Sequence, residues 1–285
     1  LGDGALDDGS LSGGYNVAIG QAALGENEGG QEGVAVGWNS LDANTSGNNN
    51  TAVGSQSLSA NTSGASNTAV GKSALKVNQT GNDNVAVGQQ ALEDNTGSSN
   101  TAVGYASLLE NTSGTNNSAL GKGALQNNTT GGSSVAVGKG ALDANTSGTT
   151  NIAIGVNALG ANTTASDNVA VGHSALLVNT TGTKLTAVGY ESLDANTTGD
   201  QSSAFGYAAL TANTTGNQST AVGTSSLTAN TTGSSNVAMG FEALKANTTA
   251  SDNTGIGYRA LLSNTTGTNN VAVGKGALQS ATTGN

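Results

Sequence analysis

Asn100-Thr101-Ala102-Val103-Gly104-Tyr105-Ala106-Ser107-Leu108-Leu109-Glu110-Asn111-Thr112-Ser113-Gly114-Thr115-Asn116 decides the fold, because Asn117-Ser118-Ala119-Leu120-Gly121 begins the same pattern again. Working outward, a glycine closes a short apolar run at Gly20, Gly37, Gly54, Gly71, Gly88, Gly104, Gly121, Gly138, Gly155, Gly172, Gly189, Gly206, Gly223, Gly240, Gly257 and Gly274. The interval is 17 residues throughout, except for 16 between Gly88 and Gly104, where Asn95-Thr96-Gly97 is one residue short. A loss inside a turn leaves the core register untouched. A fixed period of this kind marks stacked structural units. The sixteen units fill almost the whole chain and predict a single repeat domain over residues 1–285.

Positions are counted from the glycine. Position −1 is always apolar (Ile19, Val36, Phe205, Met239), and position −2 is Ala in every unit except at Gly255. Position +3 is Ala or Ser, and position +4 is Leu from Leu24 to Leu278. Gly, Thr, Asn and Val are poor helix formers. Asn-Val-Ala-Val-Gly predicts a short strand and x-x-Ala-Leu a second, while Asn-Thr-Thr-Gly supplies turn chemistry. The expected fold is therefore all-β, a parallel β-solenoid or β-roll with one coil per unit. Sixteen coils would stack into a rod of about 75 Å.

Side chains alternate along a strand. Positions −3 and −1 then share one face with the Leu as core, and Ala and Gly share the other. The smooth Ala/Gly face predicts close approach of a second surface, most simply another copy of the chain. The competing expectation is that Ala and Gly fill a narrow corner inside the coil.

Composition narrows the function. Glycine accounts for 44 of 285 residues, aromatics for 3% and charged residues for 9%, against about 25% charged in an average domain. A thick-cored globular enzyme is excluded. Cysteine is absent, which removes disulfides and thiolate metal sites. Proline, which breaks β-ladders, is absent too. A net charge of −10 with eight basic residues argues against nucleic acid. No apolar run reaches the ~18 residues of a membrane span. The chain begins at Leu1 and reads as a processed protein or part of a longer one.

At Asn16-Val17-Ala18-Ile19-Gly20, Asn151-Ile152-Ala153-Ile154-Gly155 and Asn236-Val237-Ala238-Met239-Gly240 the sequence resembles the head repeats of trimeric autotransporter adhesins. The resemblance implies a left-handed parallel β-roll in which three chains form one head. Asn67-Thr68-Ala69-Val70-Gly71 and Asn100-Thr101-Ala102-Val103-Gly104 are also similar to repeats of phage tail-fibre-like and other secreted bacterial proteins. Gly33, Ser134, Leu185, Ser202 and Ser219 replace the first Asn, so that residue is not required in every coil. The period is longer than that of the adhesin heads.

Chemistry is sparse. The one histidine, His173, occupies a varied position after Gly172 and reads as a solvent-facing variant rather than a catalytic base. Gly121-Lys122-Gly123 and Gly138-Lys139-Gly140 lack the rest of a phosphate loop. Asp167 and Asp252 stand alone, short of the ~6–8 oxygens that calcium takes. No catalytic, metal or cofactor site is expected.

Two ranks stand out. Position +1 holds Trp38, Tyr105, Tyr190, Tyr207, Phe241 and Tyr258, with Lys72, Lys122, Lys139 and Lys275. These predict an outward rank that either contacts a ligand, as stacked aromatics do with sugars or proteins, or caps a coil edge. Position +7 gives Asn44, Asn61, Asn78, Asn111, Asn128, Asn145, Asn162, Asn179, Asn196, Asn213, Asn230, Asn247 and Asn264, each opening an Asn-x-Ser/Thr sequon. They read as glycan acceptors or as a buried ladder bonding coil to coil. The paired Thr that follow run into Gly and read as a turn, unlike the Thr-x-Thr arrays of ice-binding surfaces.

The expected function is the shaft or head of an extracellular adhesive fibre, on a phage tail or bacterial surface. It would be non-catalytic and homotrimeric, with surface glycans or a host receptor as partners. The alternative is a carbohydrate- or ice-binding β-solenoid module. A polysaccharide-active enzyme on a β-helix lacks its paired carboxylates.

Overall fold

A computed structural model describes Gly4 and residues 14–284. Among them every coil contributes one strand of three residues, from Val17–Ile19 to Val271–Val273, and there is no helix. The protein is a parallel β-solenoid. It divides into two compact units, Leu1–Ser147 and Gly148–Asn285, with eight strands in each.

Within each unit consecutive strands pair in parallel, in register with the repeat: Thr51 faces Thr68, Ala52 faces Ala69 and Val53 faces Val70. The short repeat keeps this register, with Ala86 opposite Ala102 and Val87 opposite Val103. The lost residue lies in the turn, as its position in the sequence implies. Bonds between coils continue outside the strands. Gly54 N donates to Val36 O at 2.8 Å, Leu58 N to Ala74 O at 3.0 Å and Thr62 N to Gln79 O at 2.9 Å. Nearly the whole backbone is thus satisfied by the adjoining coils, as a solenoid demands.

The expected second strand is absent. x-x-Ala/Ser-Leu forms a tight double turn in which positions +2 and +4 are left-handed, with φ of 59° at Gln56 and 49° at Leu58. Left-handed backbone costs a residue with a side chain about 1–2 kcal/mol. Burial over-determines it here, because the turn drives Leu58 into the interior, where it is fully buried.

The two strand faces are also the reverse of the expectation. Ala52, Ala69 and Ala86, at the strand centres, are completely buried, while Val70 is 37% and Leu120 51% exposed. The coil is too narrow to hold Val at that point. Its interior consists of Leu at +4, small residues at −2 and +3, and Asn at −4 and +7. The Ala/Gly face is therefore the inside corner of the coil, and the apolar β-branched face is outside. The glycine cannot be replaced at this corner. Gly54 has φ of 135°, and a Cβ there would lie 2.5 Å from Gly71 O.

Candidate functional site

The Asn at +7 form a ladder inside each unit. Asn61 Nδ2 donates to Asn44 Oδ1 at 2.9 Å and to Gly64 O at 3.0 Å. The same arrangement joins Asn196 to Asn179 at 2.9 Å and Asn213 to Asn196 at 3.0 Å. From Asn44 to Asn264 these residues have almost no exposure. A glycan on Nδ2 has no room in the folded coil. The run stops where Ala281 takes the position, and Asn264 Oδ1 is left buried without a partner. A second ladder uses the Asn at −4: Asn50 Oδ1 accepts from Asn67 N at 3.0 Å, and Asn50 Nδ2 donates to Gly64 O at 2.7 Å. Gly64 O thus receives both ranks. Where Leu185 replaces this Asn, its backbone N still donates to Asn168 Oδ1 at 2.9 Å.

The aromatic rank at +1 faces outward. Trp38, Tyr105, Tyr190, Tyr207, Phe241 and Tyr258 are 42–56% exposed. Because one coil repeats above the next, the rings lie on one another. His173 stacks on Tyr190 at 5.2 Å and 13°, Tyr190 on Tyr207 at 5.5 Å and 8°, and Phe241 on Tyr258 at 5.5 Å and 10°. Lys122 lies over Tyr105 at 5.6 Å, and Lys275 over Tyr258 at 5.9 Å. Arg259 sits 5.9 Å from the Phe241 ring and 5.1 Å from that of Tyr258. Glu242 fixes it with a bond of 2.7 Å to Arg259 Nε and also holds Lys245 Nζ at 2.6 Å. The flat faces therefore point along the stack and are covered by neighbours, leaving ring edges for solvent. Among the described residues Trp38 has no ring or cation over it, its rank neighbours being Gln21 and Ser55.

The titratable groups do not converge. His173 Nδ1 is 3.0 Å from Ser174 Oγ. Burial pushes the Asp143 and Asp194 carboxyls above the usual carboxylate range, with Glu191 adding to the effect at Asp194. Burial, then Glu26, does the same at Asp42. The bonds from Lys245 and Arg259 hold Glu242 below it. Among the described residues no three His, Cys, Asp or Glu side chains are grouped to hold a metal ion.

Where a Thr pair follows the rung, it splits in two. Thr197 Oγ1, at +8, donates to Thr214 O at 3.1 Å, while Thr198, at +9, faces solvent. The pair forms the expected turn, the amides of Thr197 and Thr198 both donating to Thr214 O, and +9 and +11 flank a buried small residue, as in Thr181-Gly182-Thr183 and Thr266-Gly267-Thr268. Neither protein-family models nor curated proteins match this chain.

Proposed function

We propose that this chain is a structural segment of an extracellular adhesive fibre, a phage tail fibre or a bacterial surface adhesin, that it is non-catalytic, and that three copies associate. One observation carries the reading: inside each unit backbone, Asn and Thr groups bond from one coil to the next in a pattern that repeats along the stack, so each coil is clamped to its neighbours by recurring contacts. Such a stack suits a spacer that resists proteases and tension better than a catalyst. The outward β-branched face supplies the self-association surface in place of the Ala/Gly face. Val53, Val70 and Val87 form a continuous exposed apolar row in the first unit, and monomers rarely leave such rows uncovered. Light scattering across dilution tests this. A mass near three times 27.4 kDa is the expected result, and a folded monomer at all concentrations would overturn it.

The second reading is a carbohydrate-binding module centred on Trp38, which is about half exposed and, among the described residues, carries no ring or cation over it. Replacing Trp38, Tyr190 and Tyr207 with Ala leaves glycan-array binding unchanged under the fibre reading. Loss of a glycan signal with an unaltered circular-dichroism spectrum would put the module first.

A further inference from the structure

In the second unit eight successive coils carry Thr at +9, from Thr164 to Thr283. All eight are exposed. The Thr one position earlier explains itself by its bonds, such as Thr180 Oγ1 to Thr197 O and Thr214 Oγ1 to Thr231 O, both 3.1 Å. Among the described residues the +9 hydroxyls make no comparable bond within the chain. Copying of whole units does not explain the uniformity either, because other exposed positions of these coils vary. Position +1 runs through His173, Tyr190 and Thr224, and position +12 through Asp167, Lys184, Gln201 and Ser235. An exposed residue kept uniform without an internal role points outward for its reason.

Position +11 completes the surface. It lies two residues beyond, across a buried small residue; a Cβ on Gly182 would point at Asn179 and Asn196 in the interior. Positions +9 and +11 therefore both lie on the outside of the coil, on either side of the inward residue. The second rank is hydroxyl-bearing at Ser166, Thr183, Ser234, Ser251 and Thr268 and is interrupted by Asp200 and Asn217. Its members are locked: Asn217 N donates to Ser234 Oγ, and Ser234 N to Ser251 Oγ, each at 3.0 Å. The +9 rank repeats at about 4.8 Å along the stack, the spacing of neighbouring coils. Thr is stiff at χ1, so its methyl and hydroxyl recur in one orientation.

We propose that this Thr surface of the second unit binds ice. Methyl and hydroxyl groups repeated at one pitch along the stack, with Asp200 the one charged member of the second rank, hold water in a crystal-like layer. Many weak identical contacts then add up on a crystal face. A soluble sugar would need convergent polar groups in a concave site, which this convex turn does not offer. The proposal goes beyond the fibre reading and does not depend on the trimer.

The test uses the full chain, with thermal hysteresis and inhibition of ice recrystallisation as readouts. The unaltered protein is expected to separate freezing from melting and to facet growing crystals. Thr215→Lys with Thr232→Lys should return both signals to the buffer baseline. Thr224→Lys, in the +1 rank where Lys occurs naturally, should retain them. All three proteins should give one circular-dichroism spectrum and one solution mass. Absence of hysteresis in the unaltered chain, or its survival in the double variant, overturns the proposal. So does retention on solid cellulose or chitin without hysteresis, which would assign the surface to a crystalline polysaccharide.

Discussion

Asn61 illustrates how a residue that opens a sequon serves as a core residue. Its Nδ2 fills Asn44 Oδ1 and Gly64 O, and its Oδ1 accepts from Asn78 Nδ2 at 3.1 Å. Asn61→Ala leaves a buried oxygen on Asn44 and a donor on Asn78 short of partners. Each such group costs about 1–3 kcal/mol, so a loss of about 2–4 kcal/mol is expected from the urea midpoint. A surface glycan acceptor would lose almost nothing on the same change, which makes the measurement decisive between the two meanings of the sequon. The sequence alone leaves both open, because turn-forming Asn and ladder Asn look identical until neighbouring coils are stacked.

At the scale of the element, the double turn carries the pH dependence. Asp143 and Asp194 sit at +5, where burial raises their folded carboxyls above the usual carboxylate range. The folded chain then binds these protons more tightly than the unfolded one, so ionisation costs stability at neutral pH. That cost is relieved as pH falls through the raised folded values. Asp143→Asn with Asp194→Asn should therefore raise the melting temperature at pH 7, with a stabilisation below about 1 kcal/mol, and the gain should shrink towards pH 4. Glu242 works in the opposite sense: its lowered value supplies stability above the ordinary Glu range that is lost on acidification.

The same element marks the limit of what could be read from the sequence. The strand was legible because Asn-x-Ala-Val-Gly alternates and ends on a glycine that no other residue can replace. The second strand was not, because Leu normally avoids left-handed backbone and only burial in a thin coil forces Leu58 into it. Alternation also gives two faces without saying which is inner. Hydrophobicity favoured Val, whereas the width of the coil selects Ala. The outward aromatic rank was legible from its variability, but the mutual covering of its rings depends on one coil repeating over the next.

At the scale of the whole molecule, the outward apolar row is the feature that calls for another chain. Val70→Lys with Val87→Lys places two charges on that face in the first unit, where both side chains are already 37% exposed. The fold should survive, since neither residue is in the interior, while on the proposed three-copy association the mass by light scattering should fall to 27.4 kDa. A trimer that persists would move the contact to another face.

The constant offset of seventeen residues between bonded partners has a consequence for inheritance. Pairing a coil with the next but one would preserve the Leu contacts and most of the Asn and Thr contacts, while varied ranks such as +1 and +12 would be mismatched. Those ranks act as addresses that separate otherwise degenerate registers during folding. The same degeneracy means that a gene losing or gaining one whole unit still encodes an unbroken ladder. Coil number is thus the property such a lineage can alter most freely, and length becomes a heritable setting independent of the fold.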